Sequence, residues 1–90
     1  MKYLHRVFKA KKGAHILVHF SEPTRVMLIG DFDYKKYKGG STYNYRGGDL
    51  EVSPHDFEIP NDGTWHVVIE KGGYFHPKAI VGSVELVTAE

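Results

Sequence analysis

Hydrophobic and polar positions alternate along most of this chain. In AHILVHF (14–20), Ile16, Val18 and Phe20 fall on one side and His15, Leu17 and His19 on the other, the period of two of a pleated strand. TWHVVIE (64–70) repeats it, with Trp65, Val67 and Ile69 facing one way and Thr64, His66, Val68 and Glu70 the other. In IVGSVELV (80–87), Ile80, Val84 and Leu86 share a face on which Gly82 leaves room for a bulge or a close approach. β-Branched and aromatic residues dominate all three runs.

Between the runs the chain is punctuated by KKG, SEPT, RGGD, PNDG, KGG and HPK, each rich in turn formers. Breaks spaced by about 8 to 12 residues predict an all-β domain, a small antiparallel β-sandwich (jelly-roll-like or a partly open barrel) of about 7–8 strands. The pattern places strands near 2–9, 14–20, 24–29, 42–46, 50–53, 56–59, 64–71 and 78–88. Pro54 makes its segment an edge, or a point where the chain changes sheets. DFDYKKYKG (31–39) predicts one helical turn, capped by Asp31 or Asp33 and ended by Gly39, too short for a stable helix. Trp65, in the most regular strand, is expected inside as a core anchor.

Length limits this architecture to one unit. With 90 residues the whole chain, 1–90, is expected to form a single domain, because so short a chain cannot feed two independent cores. Its 41% hydrophobic and 26% charged residues are near the globular average, and no apolar run approaches the ~20 residues that cross a bilayer, so no membrane association is expected. MKYLHRVFKAKKG has charge where a signal peptide needs an apolar stretch, and cysteine is absent. Both point to a cytoplasmic protein.

The net charge of +1 conceals segregation along the chain. Residues 1–21 hold Lys2, Arg6, Lys9, Lys11 and Lys12 and no acid; residues 49–70 hold Asp49, Glu51, Asp56, Glu58, Asp62 and Glu70 and no Lys or Arg. If the basic segments adjoin, they make an anion-attracting face; if the acidic segment pairs between them, the charges neutralise.

Most candidate chemistry reads as ordinary structure. His15 and His19 share a face, but four residues along a strand is about 13 Å, too far for two ligands that must each approach a zinc to about 2 Å. His5, His55, His66 and His76 converge only if distant strands bring them together, and they read better as surface or half-buried side chains on solvent faces. Ser21, Ser41, Ser53 and Ser83 sit in no nucleophile elbow, and Ser53, His55 and Asp56 are merely sequence neighbours. The Gly-Gly pairs lack the strand-to-helix setting of a phosphate loop. Neither catalysis, a metal nor a cofactor is expected.

The segment YKKYKGGSTYNYRGG (34–48) is the most informative. Its aromatic rings offer faces for stacking on bases or sugars, and its cations offer phosphate contacts. Tyr34, Lys36, Tyr37, Lys38, Tyr43, Tyr45 and Arg46 are therefore the candidate ligand-binding residues. YNYRGG also reads as an alternating strand, so a structural connection and a ligand surface both remain open.

MKYLHR, YKKYKGGSTYNYRGG and above all GTWHVVIEKGGY (63–74) resemble the bacterial Domain of Unknown Function 1883 family, compact β-sandwich domains of this size. The similarity spans nearly the whole chain. Members occur alone and beside a TIR signalling domain, which implies a recognition module; the family brings no catalytic or binding residues to carry over.

The expected function is thus a non-catalytic binding or interaction module for a small anionic or planar ligand, nucleotide-like, or for a protein partner. The alternatives are a single-stranded nucleic-acid binder, whose affinity falls steeply with salt, and a self-associating module that pairs an open edge strand with its copy in a dimer.

Overall fold

The computed structural model of the chain describes residues 3–70 and 80–87. Among these, seven strands and one helix follow each other as β1 (Tyr3–Ala10), β2 (His15–Phe20), β3 (Thr24–Gly30), α1 (Asp31–Lys38), β4 (Arg46–Leu50), β5 (His55–Glu58), β6 (Gly63–Glu70) and β7 (Gly82–Val87). They form a four-stranded sheet in the order β1-β6-β3-β4 and a three-stranded sheet in the order β5-β2-β7, every pairing antiparallel. Among the described residues these are two open sheets packed as a sandwich, and no closed barrel forms.

The alternation read from the sequence builds the core between the sheets. Ile16, Val18 and Phe20 from β2 meet Val26 and Leu28 from β3 and Val67 and Ile69 from β6, with Ile80, Phe57 and Ile59 closing the ends. Trp65, Val84 and Leu86 pack against this core while keeping part of their surface in solvent. Trp65 is half-buried rather than enclosed, and its indole N–H donates to the Asn61 carbonyl at 3.0 Å. A Cβ on Gly82 would stand 2.9 Å from Ile69 Cδ1 and 3.2 Å from the His19 carbonyl, which is the close approach its place in the strand pattern implied.

The chain changes sheets at Pro54. It leaves β4, an edge of the larger sheet, and enters β5, an edge of the smaller one. The strands expected at 42–46 and 50–53 are replaced by one, β4, running straight through the RGGD expected as a turn. Gly47 and Gly48 permit this, with φ of +103° and +137° that other residues rarely adopt. At Gly47 the neighbouring backbone leaves no space for any side chain, since a Cβ there would lie 2.3 Å from the Val26 carbonyl oxygen. The last expected strand also starts later, at Gly82; positions 2, 71, 78, 79 and 88 of the expected strands lie outside the described residues.

The helix is two turns rather than one, and neither aspartate caps it. Gly30 occupies the N-cap without a side-chain bond, Asp31 and Asp33 lie inside the first turn, and the Gly39 N–H closes the other end on the Lys35 carbonyl. Local propensity does not hold so short a helix; packing does. Met27, Ile29 and Val68 point away from the sandwich core, and Tyr34 buries itself on them, with Tyr3, Tyr37 and Tyr43 around the margin. One face of the larger sheet is thereby covered by α1 and the segment after it, giving a second, smaller hydrophobic cluster.

Candidate functional site

Side chains on the covered face come from β1, β3, β6 and α1. Alternation along β6 that sends Val67 and Ile69 into the sandwich sends His66, Val68 and Glu70 to the helix side, and all three are buried there. His66 is therefore no surface histidine, contrary to the sequence expectation: the helix it faces was expected to be only a single turn.

His5 on β1 and His66 on β6 lie in nearly one plane, with an interplanar angle of 3° and His5 Nε2 2.8 Å from His66 Nδ1. His66 Nε2–H donates to Asp31 Oδ1, also at 2.8 Å. In a neutral imidazole only one nitrogen carries hydrogen. Because His66 uses Nε2 as donor, its Nδ1 is the acceptor and His5 Nε2–H donates to it. The result is a directed chain, His5 to His66 to Asp31. The bond from His66 holds the Asp31 carboxyl below the usual aspartate range, helped by Lys35 3.8 Å away. Burial, followed by the proximity of His66, Lys38 and Arg6, holds the His5 imidazole below its ordinary value.

Tyr34 roofs this pair. Its ring is parallel to both imidazoles, 4.0 Å from His66 and 4.4 Å from His5 by centroid. The Tyr34 hydroxyl comes within 3.3 Å of His5 Nδ1. The rings are stacked, so it approaches the face and not the in-plane lone pair, and its hydrogen-bond partner is the Tyr3 hydroxyl at 3.3 Å. Burial and that bond push the Tyr34 phenol up to about 12.

Next to this stack the surface dips into a shallow concavity of about 430 Å³ lined by Tyr3, Arg25, Tyr37, Lys38, Tyr43 and Glu70. The volume lies within the range of small-molecule sites. Tyr37 meets Tyr3 and Tyr43 edge to face, at 5.7 and 5.0 Å. Its hydroxyl donates to Glu70 Oε2 at 3.3 Å. Burial, then Glu70, raises the Tyr37 phenol, and burial also raises that of Tyr43, so both stay protonated donors. The Tyr43 hydroxyl rests on Met27 Sδ. Thr24 Oγ1 donates to the Glu70 carbonyl, pinning the end of β6 at the cavity floor.

A second concavity of about 440 Å³ is lined chiefly by Asp33, Asn44, Tyr45, Arg46, Asn61 and Trp65. The Arg25 guanidinium, at the first hollow, stands over the ring of Tyr45, at the second, at 5.1 Å and donates to its hydroxyl at 3.0 Å. Asp33 accepts from the Asn44 backbone N–H, tying the helix to the segment that carries both tyrosines.

The candidates proposed from sequence are thus distributed over different surroundings. Tyr37, Lys38 and Tyr43 line the first hollow, Tyr45 and Arg46 the second. Lys36 stands over the exposed Phe32 ring at 4.6 Å. The Tyr34 ring is taken up by the histidine pair and has no free face of the kind a stacking residue needs. Tyr3, Arg25 and Glu70 belong to the hollow and were not foreseen. Alternation along their strands gave their side, but nothing local said that a helix would make that side a site.

The segregated charges neither simply adjoin nor simply cancel. The strand β6, with Glu70, runs between basic β1 and β3, and the cations at the first hollow come from β3 and α1. Ser53, His55 and Asp56 are each engaged separately: Ser53 Oγ accepts the Phe20 N–H, His55 packs on the Phe57 ring, and Asp56 pairs with His15 at 2.8 Å. Among the described residues no three His, Asp or Glu side chains are grouped as a metal site would need; His76 lies outside them.

Two antiparallel sheets, with a short helix over one of them and a tyrosine-lined hollow at its C-terminal end, define a small all-β sandwich. The chain belongs to the family described as Domain of unknown function (DUF1883), whose model matches residues 1–87. No curated protein and no solved structure matches it. Among the described residues no helix is long and apolar enough to cross a membrane.

Proposed function

We propose that this domain is a non-catalytic binding module whose ligand is a small, planar anion held in the hollow of Tyr3, Arg25, Tyr37, Lys38, Tyr43 and Glu70. The observation that carries the reading is the composition of that hollow: three tyrosine rings set edge to face, with two cations beside them. Aromatic walls bind a flat ligand through contact area, and Arg and Lys take its charge. The absence of cysteine supports a reducing compartment such as a cytoplasm.

Mutual packing of the tyrosines favours a small ligand over a single nucleic-acid strand. A strand binder splays its rings to receive successive bases, whereas Tyr37, Tyr43 and Tyr45 contact one another at 5.0 and 5.4 Å. Titrating the ¹⁵N-labelled protein with mononucleotides and short oligonucleotides tests the reading. Saturable shifts confined to Tyr3, Arg25, Tyr37, Lys38, Tyr43 and Glu70 are expected with mononucleotides; a site that stays unshifted with every one of them overturns it.

A further inference from the structure

Glu70 is hard to explain if the hollow holds only an anion. Its residue is 8% exposed, yet the carboxylate lines the cavity, and among the described residues its one side-chain hydrogen bond is the 3.3 Å contact from Tyr37 to Oε2. A carboxylate has two oxygens and about four lone-pair sites, all acceptors. Among the described residues no side-chain oxygen is both buried and unpartnered, so the acceptor sites that Tyr37 leaves free open onto the tyrosine-walled hollow, where a ligand can reach them. The ligand that fills them brings N–H donors.

A simple organic cation would supply donors, and tyrosine walls suit one. Arg25 and Lys38 oppose it, because among the described residues the lining holds two cations beside one carboxylate. The ligand that satisfies every group has a flat ring for the tyrosines, an edge of N–H donors for Glu70 and a negative group for Arg25 and Lys38. A nucleotide has this division. Among the bases, guanine sets two N–H donors side by side on one edge, at N1 and N2, in the spacing a carboxylate accepts with both oxygens. Adenine and cytosine have a single amino group flanked by an acceptor, which would face a carboxylate oxygen unfavourably. Reading a base by its pairing edge between aromatic walls is a general mode of nucleobase recognition.

We infer that the Tyr3–Tyr37–Tyr43 hollow selects a guanine nucleotide, with Glu70 reading the N1–H and N2–H edge and Arg25 and Lys38 holding the phosphate. This rests on the binding-module reading above and gives its ligand class.

Calorimetry and ¹⁵N-detected titration of the intact protein with GMP, IMP, AMP and inorganic phosphate test it. IMP keeps the N1–H and lacks the N2 amine. The expected order is GMP tightest, IMP weaker, and AMP weaker than GMP by about tenfold or more, the scale of hydrogen bonds to a charged group. Glu70→Gln, which still accepts from Tyr37, should abolish the preference for GMP, weakening GMP and strengthening AMP, whose acceptor the glutamine amide can face with an N–H. AMP equal to or tighter than GMP, with shifts at the hollow, overturns the guanine assignment and leaves the binding module standing. Shifts reproduced in full by inorganic phosphate also overturn it. A hollow unmoved by all four compounds removes both. The three nucleotide affinities on the unaltered protein decide the matter even if the variant does not fold.

Discussion

His5 and His66, 61 positions apart, meet edge to edge in a single plane with one hydrogen between two nitrogens 2.8 Å apart. With His66 Nε2–H given to Asp31, that hydrogen belongs to His5, and the geometry excludes N–H facing N–H. The pair therefore takes one proton without breaking its bond, but not two.

The first expected outcome concerns acid. Burial, then His66, depresses His5 in the folded protein. Above an unfolded histidine value of about 6.5 neither state protonates His5, and its contribution to stability is complete. As pH falls through that value the unfolded chain takes up the proton and the folded one resists, so stability declines until the folded group also titrates. Urea midpoints should fall between pH 7.5 and 5, and His5→Gln should flatten the decline. Nitrogen-15 shifts showing His5 protonated at or above its ordinary value would contradict this.

A second outcome concerns alkali and has the opposite sense. The Tyr34 phenol titrates at about 12, while an unfolded tyrosine ionises near 10. Its contribution is intact below about 10 and is lost as pH rises towards 12, because only the unfolded chain ionises in that interval. Tyr34→Phe removes this part of the alkaline loss, leaving what Tyr37 and Tyr43 cause in the same direction. Tyr34→Ala should cost about 3–5 kcal/mol, the range for deleting a buried aromatic ring. Denaturation at pH 7 and 11 separates the two effects.

How much of this was legible in the sequence depends on which side of β6 is considered. Trp65, Val67 and Ile69 were assigned to the sandwich by alternation alone, and Val67 and Ile69 are fully enclosed there. His66 and Glu70 carry the same period, but whether their side meets solvent depends on α1. That helix is held by tertiary contacts of Tyr34 and Tyr37 rather than by its own propensity, so the local pattern underestimated it. The tyrosine segment was singled out by composition. Its division into one ring stacked on histidines and others around a hollow depends on partners from β1 and β6.

The paired glycines give a third outcome, because β4 rests on them unequally. A side chain at Gly47 meets the Val26 carbonyl at 2.3 Å and Phe57 Cζ at 3.0 Å, in addition to the strain of φ +103°. Gly48 has φ +137° and open space around it. Gly47→Ala should cost about 3 kcal/mol or more, strain and clash together, and Gly48→Ala only about 1–2 kcal/mol, from strain alone. Equal losses by chemical denaturation would mean that β4 does not press on Val26 as described.

The last outcome separates the hollow from the basic segment that first drew attention. Lys36 and Lys38 are both helical lysines two places apart, but Lys38 lines the cavity and Lys36 stands over Phe32. If the ligand's negative charge is held by Arg25 and Lys38, then Lys38→Gln should weaken mononucleotide binding by about five- to tenfold at low salt. It should also reduce the salt dependence, since one fewer charge is screened. Lys36→Gln removes the same net charge from the protein, so it controls for long-range attraction, and its affinity should stay within about twofold. Arg25→Gln should lose more than Lys38→Gln, because its guanidinium is already fixed over Tyr45 and loses less side-chain freedom when a ligand arrives. Equal weakening by Lys36→Gln and Lys38→Gln would mean that the helix attracts anions by its overall charge and that the hollow does not hold them.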